Sequence, residues 1–273
     1  MHWQTSRFRI DLSRPQVMGI VNATPDSFSD GGRYLGAHAA LQHAERLLAN
    51  GADMLDIGGE STRPGTPPVS LEEELQRVLP VIEGAVRLGV PVSVDTYKAE
   101  VMRRALDLGA DIVNDIAALR QPGALDAVAA HPACGVCLMH MHGEPRTMQQ
   151  APMAGDAVPP VVALLRAQSR ALQDRGVARD RIVWDPGIGF GKTVQQNFAL
   201  LARQHELLAD GYPLLAGWSR KSSLGQVTGL AVDERMVPSV AAALLSVERG
   251  ARIVRVHDVR ETVSALKVWA ASA

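Results

Sequence analysis

The sequence predicts an α/β protein of the (β/α)8 barrel type, and three observations predict it. Gly-Ala punctuation recurs before a short apolar run in GADMLDIG from Gly51, GADIVND from Gly109 and GARIVRVHD from Gly250. Each glycine suits the end of a helix, where positive φ costs it nothing. Weaker copies, GVPVSVD, CGVCLMH, DRIVWDPG and GYPLLAGWSRK, fill the intervals, and VMGIVNATPD opens the series. The segments between these runs space their apolar residues at three and four, the period of a helix with one buried face. The runs themselves are apolar on both faces, as parallel strands covered by helices are.

Taken in order, the strands begin near Val17, Asp53, Val92, Ile112, Gly135, Ile182, Leu214 and Ile253. Helical spacing follows over Ala37–Asn50, Leu71–Leu88, Ala99–Leu108, Ala124–Ala130, Val161–Arg175, Asn197–Asp210, Val237–Arg249 and Val259–Ala270. Thr193 followed by Gln196 forms a capping box that would open the sixth helix. The Pro-rich pieces PGTPP and APMAGDAVPP read as loops, and no stretch reads as an interdomain linker. The expectation is one domain over 1–273, with 1–15 as an N-terminal extension. A doubly wound open sheet is the alternative for the same alternation.

The 273 residues are long enough to bury a sizeable core, and 47% of them are hydrophobic. A net charge of −1 leaves no footprint for nucleic acid or an anionic membrane surface. No apolar run approaches the roughly 18 residues that span a bilayer. MHWQTSRFRIDLSRP lacks the apolar heart of a signal peptide, so a cytoplasmic location is expected. Cys134 and Cys137 have redox spacing, but Cys137 falls in the strand pattern GVCLMH, so both read as buried, reduced and structural.

Function in such a barrel gathers at the C-terminal ends of the strands. Those ends carry Asn22, Asp56, Asp95, Asn114 with Asp115, His140, Asp185, Lys221, and Arg255 with His257. A turn or a helix cap explains any one of Asp56, Asp115 or Asp185, but a ring of polar residues has no structural need. The set suits a flat, hydrogen-bond-rich small molecule together with an anion. Two long loops, 22–32 and 58–68, rise from the same rim, where lids and binding loops reside. His140 and His142 alternate on a strand, yet no companion ligands mark a transition-metal site, and the run CLMHM reads as core or pocket wall. The stretch WDPGIGFGKT invites comparison with phosphate loops. Pro186 stands where a Walker A loop needs glycine, and Lys192 where the dinucleotide fingerprint needs its third. What remains is a glycine turn below Asp185 that would let the backbone approach a flat ring.

In order along the rim, NATPDSFSDGG, DIGGESTRPG, SVDTYK, DIVNDI, MHMHGEPRTMQ, DPGIGFGKT, SRKS and RVHDV resemble dihydropteroate synthases of the pterin-binding family, from about Val17 to Ala270. The resemblance implies a TIM barrel of folate biosynthesis, typically homodimeric. It joins 6-hydroxymethyl-7,8-dihydropterin pyrophosphate to 4-aminobenzoate with help from Mg²⁺, and has no nucleic-acid or membrane partner. It further implies that Asp185 and Asn114 hold the aminopyrimidine edge of the pterin, with Asp95 near its other ring nitrogens. Lys221 would donate to the pterin carbonyl and N5, and Arg255 would stack on the ring. Asn22 would bind Mg²⁺, while Arg63, Thr62 and His257 hold the pyrophosphate. Ser222 would receive the aminobenzoate carboxylate, and Phe28 and Pro64 would wall its ring.

Asp95, Lys221, Arg63 and Asn22 are the implied catalytic set. Pyrophosphate leaves first, Asp95 steadies the cation left on the pterin methylene, and the aryl amine then attacks. His142, Ser223 and Gln195 depart from the family pattern. A methyltetrahydrofolate-binding methyltransferase barrel, or a pterin-binding barrel without catalysis, would share the Asp/Asn grip. The first has no need for the SRKS and STRPG anion elements, and loss of Asn22, Asp95, Arg63 or Lys221 would mark the second, yet all four are present.

Overall fold

A computed structural model describes residues 1–23, 32–62 and 65–272, and for 32–35 only the backbone. The chain opens with an antiparallel pair, β1 (His2–Gln4) and β2 (Arg9–Asp11). Eight parallel strands follow: β3 (Gln16–Asn22), β4 (Met54–Gly58), β5 (Val92–Asp95), β6 (Ile112–Asp115), β7 (Gly135–Met139), β8 (Ile182–Asp185), β9 (Leu215–Ala216) and β10 (Ile253–Val256). Their order in the sheet is β8-β7-β6-β5-β4-β3-β10-β9. The two ends meet through a parallel bridge from Trp184 to Leu214, with the Trp184 N–H donating to the Pro213 carbonyl at 3.0 Å. The sheet is therefore a nearly closed barrel, and the open-sheet alternative fails.

Helices cover the outside: α1 (Gly32–Ala49), α2 (Leu71–Val86), α3 (Ala99–Asp107), α4 (Ala124–Ala130), α5 (Val158–Gln173), α6 (Val194–Ala202), α7 (Gln204–Leu208), α8 (Ser222–Thr228), α9 (Met236–Glu248) and α10 (Val259–Ser272). The short helix over Ala124–Ala130 forms as its spacing predicts. The capping box at α6 is also made, Thr193 and Gln196 each satisfying the other's backbone N–H. Three boundaries differ from the sequence reading for physical reasons. Pro159 and Pro160 lie not in a loop but in the first turn of α5, where a missing N–H costs nothing. The segment read as one helix over Asn197–Asp210 breaks at Arg203, because the buried Gln204 turns inward and donates to the Ser246 and Arg249 carbonyls at the end of α9. The short helix α8 stands between β9 and α9.

The β1–β2 pair is what the N-terminal extension becomes. Trp3 is fully buried beneath the barrel, and its indole N–H donates to the Arg181 carbonyl at 2.9 Å. It packs with Ile10 and Leu12 against Met18, Met54, Ile112, Cys137, Val183, Leu215 and Ile253. Residues two apart on a strand share a face. One step above that apolar layer, the same face therefore carries Ile20, Asp56, Asn114, Met139, Asp185, Gly217 and Arg255, and the interior turns polar toward the C-terminal rim. Both cysteines are free and buried, as expected, and burial pushes each thiol above its ordinary range. Among the described residues no helix is long and apolar enough to cross a membrane.

Candidate active site

Two connected cavities open at the C-terminal rim. The inner one, about 50 Å³, is lined by Asp95, Asn114, Met139, Asp185, Lys221 and Arg255, among others. The outer one, about 310 Å³, shares Asp95, Thr62, Phe190, Lys221 and Arg255 with it and extends past Asn22, Ser222 and His257. The strand ends thus bring together Asn22, Asp95, Asn114, Asp185, Arg255 and His257, and the loops add Thr62, Lys221 and Ser222. Phe28, Arg63 and Pro64 lie outside the described residues.

Arg255 organises the floor. Its Nε donates to Asp56 Oδ2 at 2.5 Å and its Nη2 to Asp95 Oδ2 at 2.6 Å. Burial works against its charge, but Asp56 and Asp95 more than offset that and hold its pKa above the usual arginine value. Asn114 Nδ2 also donates to Asp56 Oδ2, at 3.2 Å. Asp56 Oδ1 and Ser93 Oγ, on neighbouring strands in register, are buried without a partner among the described residues. Such atoms take a water or a ligand polar group. Burial also raises the Asp95 carboxyl above its ordinary range, with Arg255 opposing the shift and Asp56 adding to it.

Asp185 ends β8 almost wholly buried. Its Oδ1 accepts the Gly187 N–H at 2.7 Å, while Oδ2 faces Gly217, where a Cβ would sit only 3.7 Å away. Burial raises its pKa, opposed by the Gly187 N–H, Lys221, Arg255 and Lys192. One carboxylate oxygen is therefore anchored and the other is presented to the cavity. Asp115, one residue beyond Asn114, does something different. Its two oxygens accept the Ala117 and Leu119 N–H groups at 2.7 Å, clamping a turn in which Ala118 and Leu119 have φ of 51° and 59°. It is a turn former, the ordinary reading of that residue taken alone.

The glycine turn below Asp185 serves the protein before it serves a ligand. Gly187 and Gly191 have φ of 69° and 67°, and a Cβ on them would lie 1.8 Å from the His140 carbonyl oxygen and 2.2 Å from that of His142. Their clearance is for the chain beyond β7, which corrects the expectation of clearance for a flat ring. Lys192, the residue that resembles a P-loop lysine, points inward. Its Nζ donates to the carbonyls of Gly187 (2.8 Å), His140 (3.2 Å) and Phe190 (3.2 Å). Burial draws its pKa down to about 7, with Asp185 opposing.

Lys221 faces the cavity instead. Its Nζ lies 4.2 Å over the Phe190 ring, a cation–π distance. Burial and then Arg255 bring its pKa down to about 8, while Asp185 and Asp95 resist. Its aim is set by Arg220, which holds a left-handed φ of 59°. Such strain persists only when over-determined. Here the Arg220 N–H donates to Ser239 Oγ at 2.9 Å, and its guanidinium donates to both oxygens of Asp258. His257 Nδ1 pairs with Ser219 Oγ at 2.9 Å. Burial, Arg255 and Arg220 drop its pKa to about 3, which keeps the ring neutral.

Sequence reasoning missed the support behind the loop at 58–62. Glu60 accepts from Tyr97 Oη at 2.7 Å and pairs with Lys98, which also pairs with the buried Glu74. Thr96 Oγ1 donates to Glu74 at 2.6 Å. The only hint was the polar cluster Thr96-Tyr97-Lys98 directly after Asp95. His140 and His142 part company: His140 is buried with its Nδ1 unpartnered among the described residues, and His142 is exposed. Among the described residues no three His, Cys, Asp or Glu side chains converge as metal ligands.

The family described as pterin binding enzyme matches residues 18–257. A curated dihydropteroate synthase of Neisseria meningitidis serogroup B is 54% identical over 275 residues, covering 98% of this chain and 96% of its own length. The crystal structure of Burkholderia cenocepacia dihydropteroate synthase complexed with 7,8-dihydropteroate superposes with a TM-score of 0.91 at 54% identity, covering 99% of this chain and 96% of that one. That of the Xanthomonas albilineans enzyme with 4-aminobenzoic acid gives 0.91 at 52% identity, covering 97% and 95%.

Proposed function

Because the chain belongs to the dihydropteroate synthase family, we propose that it condenses 6-hydroxymethyl-7,8-dihydropterin pyrophosphate with 4-aminobenzoate, giving 7,8-dihydropteroate and pyrophosphate. The observation that carries the reading is the paired cavity: a narrow inner chamber walled by Asp95, Asn114 and Asp185, opening past Lys221 and Arg255 into a wider one. Asp185 Oδ2 and the Asn114 amide grip the aminopyrimidine edge, which offers donors and an acceptor side by side. Lys221 donates to the pterin carbonyl and N5. Arg255, already held by Asp56 and Asp95, flanks the ring, and its stacking is a role that lysine fills less well.

Thr62 and His257, which line the outer cavity, bind the pyrophosphate together with Arg63, and Ser222 at the start of α8 receives the aminobenzoate carboxylate. Phe28 and Pro64 wall the aminobenzoate ring. We read Mg²⁺ as arriving on the pyrophosphate, whose oxygens would supply most of its ligands. Asn22, at the end of β3, offers one amide oxygen, and a hard cation that keeps its waters needs little more from the protein. When bound, Mg²⁺ supplies charge neutralisation on the leaving group.

The chemistry asks for no nucleophile of the enzyme's own. The methylene C–O bond breaks with its electron pair leaving on pyrophosphate, and the cation is delocalised into the pterin. Asp95 stabilises that charge electrostatically. The neutral aryl amine then forms the C–N bond and sheds its proton to solvent. Binding both partners across one cleft provides the orientation on which such a step depends.

We read 1–273 as one domain, since the β1–β2 pair packs into the barrel floor, and we infer a cytoplasmic enzyme. Exposed Val237 and Leu245 on α9 and Val268 on α10 support a homodimer. Incubation with the pterin pyrophosphate, 4-aminobenzoate and Mg²⁺ tests the function. Dihydropteroate is the expected product, and none from folded protein refutes the reading.

A further inference from the structure

We propose that Asn197, acting with Ser223, is a positioning residue that fixes the spacing between the two walls of the cleft. This rests on the reading above, in which the aminobenzoate carboxylate sits at Ser222. Asn197 lies in the first turn of α6, is fully buried, and lines neither cavity. Its Oδ1 accepts the Gly189 N–H at 2.9 Å, and its Nδ2 donates to Ser223 Oγ at 2.9 Å and to the Lys192 carbonyl at 3.4 Å. Gly189 precedes Phe190, one wall of the cleft, and Ser223 follows Lys221 and Ser222, the other. A single side chain therefore bridges the loop after β8 to the opening turn of α8.

The chemistry of the link is specific. In a dry site it needs one acceptor and one donor on the same short side chain, which an amide has and a carboxylate or an alkyl group lacks. The walls it joins are already close. A Cβ on Gly189 would come within 3.1 Å of Lys221 Cδ, and the Lys221 ammonium rests on the Phe190 ring. Lys192 fastens the same loop through three carbonyls, but among the described residues it is the Asn197 side chain that hydrogen-bonds across to α8. A small shift of one wall against the other moves Ser222 relative to the pterin chamber, and misplacement of reacting groups by about 1 Å costs roughly 100-fold in rate.

The position of Ser222 affects aminobenzoate more than the pterin, because Lys221 beside it is only one pterin contact and Asp185 and Asn114 hold the pterin from β8 and β6. Steady-state kinetics of the full chain with each substrate varied in turn tests this, using Ser223→Ala, Ser223→Thr and Asn197→Leu. Ser223→Ala is expected to raise KM for 4-aminobenzoate roughly three- to tenfold while KM for the pterin pyrophosphate stays within about twofold, the worth of one hydrogen bond. Asn197→Leu should widen the same split, and Ser223→Thr, which keeps the hydroxyl, should restore the wild-type ratio. Should Asn197→Leu not fold, the serine pair decides alone. A fall in melting temperature with both KM values moving together, or an unchanged ratio, overturns the positioning role. Wild-type protein that makes no dihydropteroate overturns instead the functional reading beneath it.

Discussion

The two ends of the barrel use the same eight strands and differ by one step of the strand period. At the bottom, Met54, Ile112, Val183 and Ile253 face inward and close over Trp3. Two residues further along the same strands, Asp56, Asn114, Asp185 and Arg255 face the same way. The lower layer is dry, apolar and sealed by the β1–β2 pair. The upper layer holds Asp56, Asp95 and Asp185 against Arg255 and Lys221, with polar atoms on Asp56 and Ser93 left unmatched among the described residues. Burying unpaired polar groups is costly, so the rim is the place where stability is given up for binding, and the floor is where it is recovered. Mutations at the two ends should separate accordingly.

The largest effect is expected at the floor. Trp3→Ala removes a fully buried indole and its bond to Arg181, and should lower unfolding free energy by about 3–5 kcal/mol. Denaturant titration measures the loss, and kcat/KM at a temperature where the variant stays folded should remain near wild type. A large loss of kcat/KM in folded protein would break the division between the ends.

Lys221→Met reverses the pattern. Loss of a positioned cation should cut kcat/KM roughly 10²–10³-fold, while thermal stability holds or rises because a buried charge is gone. The same lysine sets an alkaline limb. Its protonated form is the donor and its pKa sits at about 8, so kcat/KM should decline as pH rises through that value. A profile flat through the alkaline range would remove Lys221 from the donor role.

Lys192→Met sharpens the comparison from within the rim. It strands the His140 and Phe190 carbonyls, while Gly187 still accepts the Phe190 N–H, for a loss of about 1–3 kcal/mol. Both melting temperature and activity should therefore fall together. Equal melting temperatures for Lys192→Met and wild type would mean that water replaces the ammonium.

How far the sequence reached follows the same division. Barrel strands and helices were legible because apolar periodicity and Gly-Ala punctuation are dense, and the strand-end acids and cations followed from strand order. The β1–β2 pair was not legible, since three-residue strands give too little alternation to distinguish from a tail. Lys192, Asn197, Gln204 and Glu74 were also missed. Buried polar residues look like solvent-facing ones until the fold supplies their partners. Gly187 and Gly191 were seen but misassigned, because φ and the nearness of the His140 and His142 carbonyls depend on how β7 ends, whereas Gly189 does line the outer cavity. Asp115 and Asp185 look alike in the chain, and only the hydrogen bonds separate a turn clamp from an acid with one oxygen in the cavity.

That last distinction gives the most direct test of the account. Calorimetric titration of the pterin pyrophosphate onto Asp185→Asn should show affinity reduced roughly 10- to 100-fold, the worth of a charge-assisted contact, with melting temperature close to wild type. Unchanged affinity would contradict the claim that the upper layer of the barrel grips a pterin through Asp185.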